Sequence, residues 1–331
     1  MWRPIVGLGL VAGLVGVAYF VSNYSTEFQR DENGRLRRVT IAPRTDLPGS
    51  DAAQPPGGTA GSAVRIASFN LDGLDDKKLA NRQVHDVLVR LLSGYDLVAL
   101  QDVRAANRGV LVRLVDAINA AGLTYDLATA PGVLEGGAEQ YSAFLLNTAT
   151  IEIDRSKVHC VEDPAGRLRH KPLVAQFRVK GPKQSEAFTF KLINVHIDPA
   201  RAIEEIELLD DVYRAIRDDR PREDDILMLG DFAAGYDRIG PLGTLEGIAA
   251  AVTGTPTNLR GTSSADNIYY DRKATVEFTG RSGVFDVMRQ LDLTLQEALQ
   301  VSEHLPVWAE YTSLEGGYSG YVAGFPGQKT R

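Results

Sequence analysis

The chain has a single cysteine, Cys160, which excludes an internal disulfide framework and any zinc site built from several thiolates. Positive charge is also short: 36 Lys and Arg stand against 43 Asp and Glu, a net charge of −7. That balance argues against broad non-specific binding to nucleic acid, which needs basic surface. It leaves room for a local basic groove, or for a metal bridging carboxylates to phosphate. No internal repeat is present, so a solenoid is excluded. The rest of the composition is that of a globular protein, 44% hydrophobic and 24% charged, long enough for one large domain or two small ones.

The longest uncharged apolar run is "IVGLGLVAGLVGVAYFVS", residues 5–22. At about 1.5 Å per residue it is long enough to span a bilayer, and Trp2, Tyr19 and Tyr24 lie near its ends, as interfacial aromatics do. It reads as an uncleaved single-pass anchor. A cleaved signal peptide would have a shorter apolar region and a small-x-small site after it, which Ser22-Asn23-Tyr24 does not supply. Arg3 precedes the run, whereas Arg30, Arg35, Arg37 and Arg38 follow it, a count that leans towards a cytoplasmic C-terminal domain.

Residues 23–63 read as a flexible linker, because "APRTDLPGSDAAQPPGGTAGSA" (42–63) cannot bury enough apolar surface to order itself. A folded domain is expected over 64–312, followed by a Gly-rich tail at 313–331. Within the domain, strands are expected at 64–70, 96–101, 141–147, 172–179, 187–196, 225–230, 266–270, 275–279 and 306–311. Amphipathic helices are expected at 77–95, 106–121, 199–219 and 288–299. The mixture implies a layered α/β protein with much antiparallel pairing.

Polar residues recur at the ends of these apolar runs. Asn70 and Asp72 follow "RIASF", Asp102 follows "DLVALQ", and Glu139 precedes "YSAFLL". His196 ends "FKLINV", Asp231 ends "ILMLG", Asp266 precedes "NIYY", and Glu303-His304 precede "LPVW". Carboxylates, an asparagine and two histidines suit a hard divalent cation and phosphoester hydrolysis. Taken singly, each has a plain structural reading: Asp and Asn are turn residues, and a lone His at a strand end is usually a hydrogen-bonded structural group. His85 and His159 read as structural. The spread of sites, all at strand ends where α/β proteins bind ligands, carries the signal.

Seven short motifs in order resemble the endonuclease/exonuclease/phosphatase superfamily, the DNase I-like hydrolases. They are "SFNLDGL" (68–74), "DLVALQDV" (96–103), "EQYSAFLL" (139–146), "INVHIDP" (193–199), "LMLGDF" (227–232), "ADNIYY" (265–270) and "SEHLPV" (302–307). The resemblance implies a four-layer αββα sandwich of two mainly antiparallel sheets with helices outside. By similarity, Asn70 and Asp102 would hold Mg2+ or Mn2+, with Asp72 and Glu303 beside them. His196 would assist phosphate, Asp231 would position or deprotonate the water, and Asp266 would orient a histidine. His304, partnered by Glu303, would act as general acid/base. Glu139 would pair with the first histidine, and His170 and Lys171 would bind substrate where nuclease members carry an arginine.

Three departures bear on activity. Asp102 is one methylene shorter than the family's Glu, Glu303 one longer than its Asp, and Ala233 stands where the family has Asn. Losing one preorganised donor of that kind costs on the order of 10²–10³ in rate. The expectation is therefore a membrane-tethered, metal-dependent phosphoesterase, acting on nucleic acid or on a phosphorylated small molecule or lipid headgroup. Its alternative is a catalytically impaired member serving as a tethered binding module.

Overall fold

Two parallel strand pairs sit at the centres of two sheets. Parallel neighbours cannot be joined by a tight turn, so a helical crossover closes each pair. The computed structural model describes residues 24–30, 36–43, 63–106, 108–219 and 223–316. The apolar run 5–22 lies outside them. Among the described residues no helix is long and apolar enough to cross a membrane. Within the stretch expected as linker, β1 (Tyr24–Arg30) and β2 (Leu36–Pro43) pair antiparallel.

The domain begins with β3 (Ala63–Leu74), then α1 (Asp76–Ala80) and α2 (Arg82–Leu92), then β4 (Leu97–Ala105), parallel to β3. The single helix expected at 77–95 is thus two. Asn81 separates them, its side chain capping the second by accepting from the Gln83 N–H. Helix α3 (Gly109–Ala120) leads to β5 (Tyr125–Thr129), β6 (Val133–Glu135) and β7 (Ala138–Asn147). The second sheet is built from β8 (Ile151–Cys160), β9 (Leu173–Val179) and β10 (Thr189–His196). After a 3₁₀ turn (Pro199–Arg201), α4 (Ala202–Ile206) and α5 (Leu209–Asp218) carry the chain across to β11 (Ile226–Asp231), parallel to β10. β12 (Ile248–Ala250) and β13 (Asp266–Asp271) complete that sheet, and β14 (Phe278–Val284), α6 (Val287–Leu291), α7 (Leu295–Val301) and β15 (Val307–Thr312) return to the first.

The strand order is β14-β15-β3-β4-β7-β5, with β6 on β7, in one sheet and β12-β13-β11-β10-β9-β8 in the other. Side-chain alternation then makes three cores. Ile66, Leu97, Ala99, Phe144, Phe177 and Leu229 fill the space between the sheets. Ala67, Phe69, Val98 and Leu100 face the first set of helices, and Ile193, Val195, Ile226 and Met228 face α5. Phe144 and Phe177 meet edge to face at 5.3 Å, joining one sheet to the other. This is the expected four-layer αββα sandwich. The half-exposed β8 and short β12 were not expected, because neither has a clean apolar alternation.

The close approach of β10 to β11 at the site end depends on Gly230. Its φ is +149°, and a Cβ there would lie 1.9 Å from the Val195 carbonyl oxygen of the neighbouring strand. Gly230→Ala is expected to cost about 3 kcal/mol. Gly254→Ala, at φ +69° with open space around it, should cost only about 1 kcal/mol. Urea unfolding of both variants checks this, and equal losses would show that the close approach is not the constraint.

Candidate active site

Because β3–β4 and β10–β11 are parallel pairs, their C-terminal ends lie side by side within each sheet. Asn70 is in register with Gln101, and His196, Asp231 and Asp266 stand directly opposite one another across β10, β11 and β13. A residue that starts an antiparallel strand falls at the same edge as one that ends its neighbour. Asp266 and His304 reach the site that way, from the starts of β13 and β15. Local irregularities aim the side chains. Both β3 and β4 slip register at the site, between Asn70 and Leu74 and between Leu100 and Val103. Asp72, Asp102 and Ala233 all adopt left-handed backbone, with φ of 48°, 54° and 49°.

A chain of contacts links the four central side chains. Asn70 Nδ2 donates to Asp231 Oδ2 at 2.9 Å, and the Ala233 N–H donates to Asp231 Oδ1 at 2.9 Å. His304 Nε2 lies 3.8 Å from Asp231 Oδ2. On its other side His304 Nδ1 sits 2.9 Å from Asp266 Oδ2, which also accepts from the Thr257 hydroxyl at 2.9 Å. Ser302 ties this to the first sheet, its hydroxyl donating to the Asn70 carbonyl and accepting from the His304 N–H. His196 lies beside Asp231, with its ring stacked on His170 at 4.5 Å between centroids and 9° between planes.

Electrostatics separates the two histidines. Burial, then the neighbouring His170, pushes the His196 imidazole down to about 4. Burial would push His304 down as well, but the Asp266 carboxylate bonded to it more than offsets this and raises it to about 9. At neutral pH His196 is therefore neutral and His304 an imidazolium. Burial, followed by repulsion from Asp266, raises the Asp231 carboxyl above the usual carboxylate range.

Other expected residues take different places. Asp102 is buried, and its charge reaches His196 and His170. Its carboxylate is held by Arg104 at 2.8 and 3.2 Å and by Gln140 Nε2 at 2.5 Å. Glu139 is not the partner of His196: its oxygens accept from Arg108 at 2.9 and 3.3 Å and from the Gly132 N–H. Glu303 does not partner His304 either. Consecutive residues of an extended segment point opposite ways, so with His304 turned inward Glu303 is exposed, and Asp266 takes its place. Asp72 is exposed too, although its charge acts on His304. His170 and Lys171 line a cavity of about 610 Å³ that opens beside His196 and is also walled by Arg169, Gln140 and Tyr141.

The motifs gave no sign of Lys78 and Arg104. Lys78 Nζ donates to the carbonyls of Leu71 and Asp72, both at 2.8 Å, and feels the charges of Asp72 and Asp102. Their signal was positional: Arg104 lies two residues beyond Asp102 on one strand and so shares its face. The oxygen donors Asn70, Asp102 and Asp231 suit a hard divalent cation. A cation bound at Asp102 would displace the Arg104 guanidinium.

The fold is DNase I-like. Of solved structures, a conserved protein of unknown function from Enterococcus faecalis V583 superposes with TM-score 0.53 at 15% identity, covering 75% of this chain and 99% of that one. Humanised D. rerio TDP2 gives 0.52 at 14% identity, covering 75% and 98%. Among curated proteins, the chain is similar to human deoxyribonuclease gamma, 24% identical over 266 residues, 74% of this chain and 85% of that protein. Mouse deoxyribonuclease-1-like 2 is 26% identical over 259 residues, 74% and 91%. Bovine deoxyribonuclease-1 is 24% identical over 266 residues, 75% and 92%. No protein-family model matches. The DNase I-like fold and these deoxyribonuclease relatives support the superfamily resemblance that the seven motifs carry.

The charge separation between the two histidines has a direct readout. His304 binds its proton more tightly folded than unfolded. It therefore contributes stability that is present below its ordinary value of 6.5 and lost as pH rises through about 9. Buried His196 acts the other way and costs stability as pH falls from 6.5 towards about 4. Imidazole ¹⁵N shifts, assigned with His196→Gln and His304→Gln, should show one histidine titrating near 9 and one near 4. Two transitions near 6.5 would remove the basis for giving the histidines different charges.

Proposed function

We propose that the domain hydrolyses phosphoester bonds by in-line attack of water, with His304 as general acid and Asp231 as the group that orients and deprotonates the water. The observation that carries this reading is the chain Asn70–Asp231–His304–Asp266. Asp231 is oriented from both sides by the Asn70 amide and the Ala233 N–H, and its raised carboxyl makes it a stronger base than a free aspartate. As water attacks phosphorus, its proton passes to Asp231. The bond to the leaving oxygen breaks, and that oxygen takes the proton from His304 Nε2. The protonated Asp231 and the bare Nε2 are then 3.8 Å apart, so a short proton transfer restores the resting state. Neutral His196 donates an N–H to a phosphoryl oxygen without placing a second full positive charge beside His304.

A divalent cation, Mg2+ or Mn2+, held by Asn70 and Asp102 would neutralise phosphate charge. The deoxyribonuclease relatives support a nucleic-acid phosphodiester as substrate. Lys171 and Arg169 give the cavity beside His170 positive charge, against the one carboxylate of Glu162 on its wall, which supports an anionic ester such as a phosphorylated small molecule or lipid headgroup. The apolar run 5–22 supports a single-pass membrane tether for the domain.

A second reading, an impaired hydrolase kept as a tethered binding module, is favoured by one observation. Arg104 neutralises Asp102 where the cation would bind. Ala233 bears on both readings. At φ +49° an alanine is strained by about 1–2 kcal/mol, and asparagine tolerates that backbone and adds a donor.

The test uses the full chain in detergent with supercoiled DNA, bis-p-nitrophenyl phosphate and inositol phosphates, in Mg2+, Mn2+ or EDTA. Cleavage should require metal and fall at least about 10²-fold in His304→Ala. Ala233→Asn should raise the rate about tenfold to a hundredfold and the stability by about 1 kcal/mol. Silence of both wild type and Ala233→Asn on all three substrates would sink the hydrolase and leave the binding module.

A further inference from the structure

At the end of the sandwich away from His304, a second group of acids is gathered between the sheets. Asp225 and Glu223 lie just before β11, Glu277 just before β14, and Glu315 just after β15. Asp225, Glu277 and Glu223 are 1%, 1% and 0% exposed, and Glu315 is half-buried. Ligand oxygens of Asp225, Glu277 and Glu315 all lie within 4.8 Å of one another.

Backbone amides account for part of this group. Glu277 Oε1 accepts from the Gly316 N–H at 2.7 Å, Glu315 Oε2 from the Thr189 N–H at 3.2 Å, and Glu223 Oε1 from the Asp225 N–H at 3.2 Å. Asp225 has no such support. No donor meets either of its buried carboxylate oxygens in good hydrogen-bond geometry, and its nearest polar neighbours are the buried Thr275 hydroxyl and the Glu315 carboxyl. The charges that act most strongly on Asp225 are all carboxylates: Glu277, Glu223 and Glu315. The ammonium of Lys191, which feels Glu223, is directed instead at the Ile216 carbonyl and at Asp219. Unpaired carboxyl oxygens buried among like charges are among the costliest arrangements a fold can contain.

The geometry points to a structural calcium site formed by Asp225, Glu277 and Glu315, with Glu223 and the Thr275 hydroxyl alongside. The donors are all hard oxygens, which excludes the softer metals that favour nitrogen and sulfur. Several carboxylates converge within one ligand sphere, which suits Ca2+, with its six to eight oxygen ligands, better than Mg2+, which keeps most of its waters. Asp225 leads into the second sheet, whereas Glu277 and Glu315 flank strands of the first. The ion would therefore pin the two sheets together at the end opposite the hydrolytic residues. It shares no ligand with them.

The experiment follows thermal unfolding of the chelator-treated full chain, with calcium, with magnesium at equal concentration, and with neither, for wild type, Asp225→Asn and Asp231→Asn. Calcium binding to each is measured by equilibrium dialysis. Calcium at about a hundred times its dissociation constant should raise the wild-type Tm by roughly 5 °C or more. Asp231→Asn should keep that rise. Asp225→Asn should lose both the rise and one equivalent of bound calcium, yet be at least as stable as wild type without metal, since the amide replaces a carboxyl crowded by Glu277, Glu223 and Glu315. If Asp225→Asn does not fold, Glu315→Gln takes its place with the same expectations. No rise in wild type, an equal rise in Asp225→Asn, or loss of the rise only in Asp231→Asn would overturn the site. An equal rise with magnesium would overturn the assignment to calcium.

Discussion

A buried amide clasp beneath the active site sets the spacing on which the rest depends. Asn194 of β10 and Gln101 of β4 are both fully buried, and Gln101 Nε2 donates to Asn194 Oδ1 at 2.8 Å across the gap between the sheets. Asn194 Nδ2 returns two bonds to the first sheet, to the carbonyls of Leu100 and Ala143, each at 3.1 Å. Gln101 also reaches the Ser68 hydroxyl at 3.0 Å. Apolar packing alone tolerates some sliding of one sheet over the other, whereas buried amides lose their partners if the sheets shift. The clasp thus holds the ends of β3 and β4 against those of β10 and β11, where Asn70 meets Asp231.

The site above the clasp is a concentration of unfavourable local choices. Three non-glycine residues hold left-handed backbone, two carboxylates and two histidines are crowded together, and one histidine is stripped of its proton by burial. Such strain persists where the surrounding structure over-determines it, and here the sandwich core does so. The same crowding divides the labour. His304 keeps a proton because Asp266 holds it, and His196 loses one because it is buried, with His170 against it. Like groups driven apart by their surroundings give one site both a protonated and a neutral imidazole.

Much of this was legible in order and period. Short runs of apolar and β-type residues marked β3, β4, β7, β9, β10, β11 and β15, and polar residues at their ends marked the site edge. Helix continuity was less legible. Asn81 and Asp292 interrupt helices that the apolar spacing alone would continue, the first by capping its own backbone and the second by adopting left-handed φ. Assignments of partners failed where two residues competed for one role. Glu303 precedes His304 in sequence, yet Asp266 holds the ring; Glu139 was set against His196, yet Arg108 binds it. Side-chain direction on an extended segment decides such pairs, and one-letter order does not record it.

By itself the sequence determined most of the central strands and the polar residues at their ends, because period and strand-end polarity are local properties of the chain, while the αββα class and the candidate site residues followed from the resemblance that seven motifs carry. Only the tertiary structure decided that Arg104 covers Asp102, that the two histidines carry different charges, and that Asp225 is buried among carboxylates far from the active site. Each of those depends on distances between residues separated by a sheet crossing or by burial from water. Coulomb energies and desolvation costs follow distance through space, not along the chain.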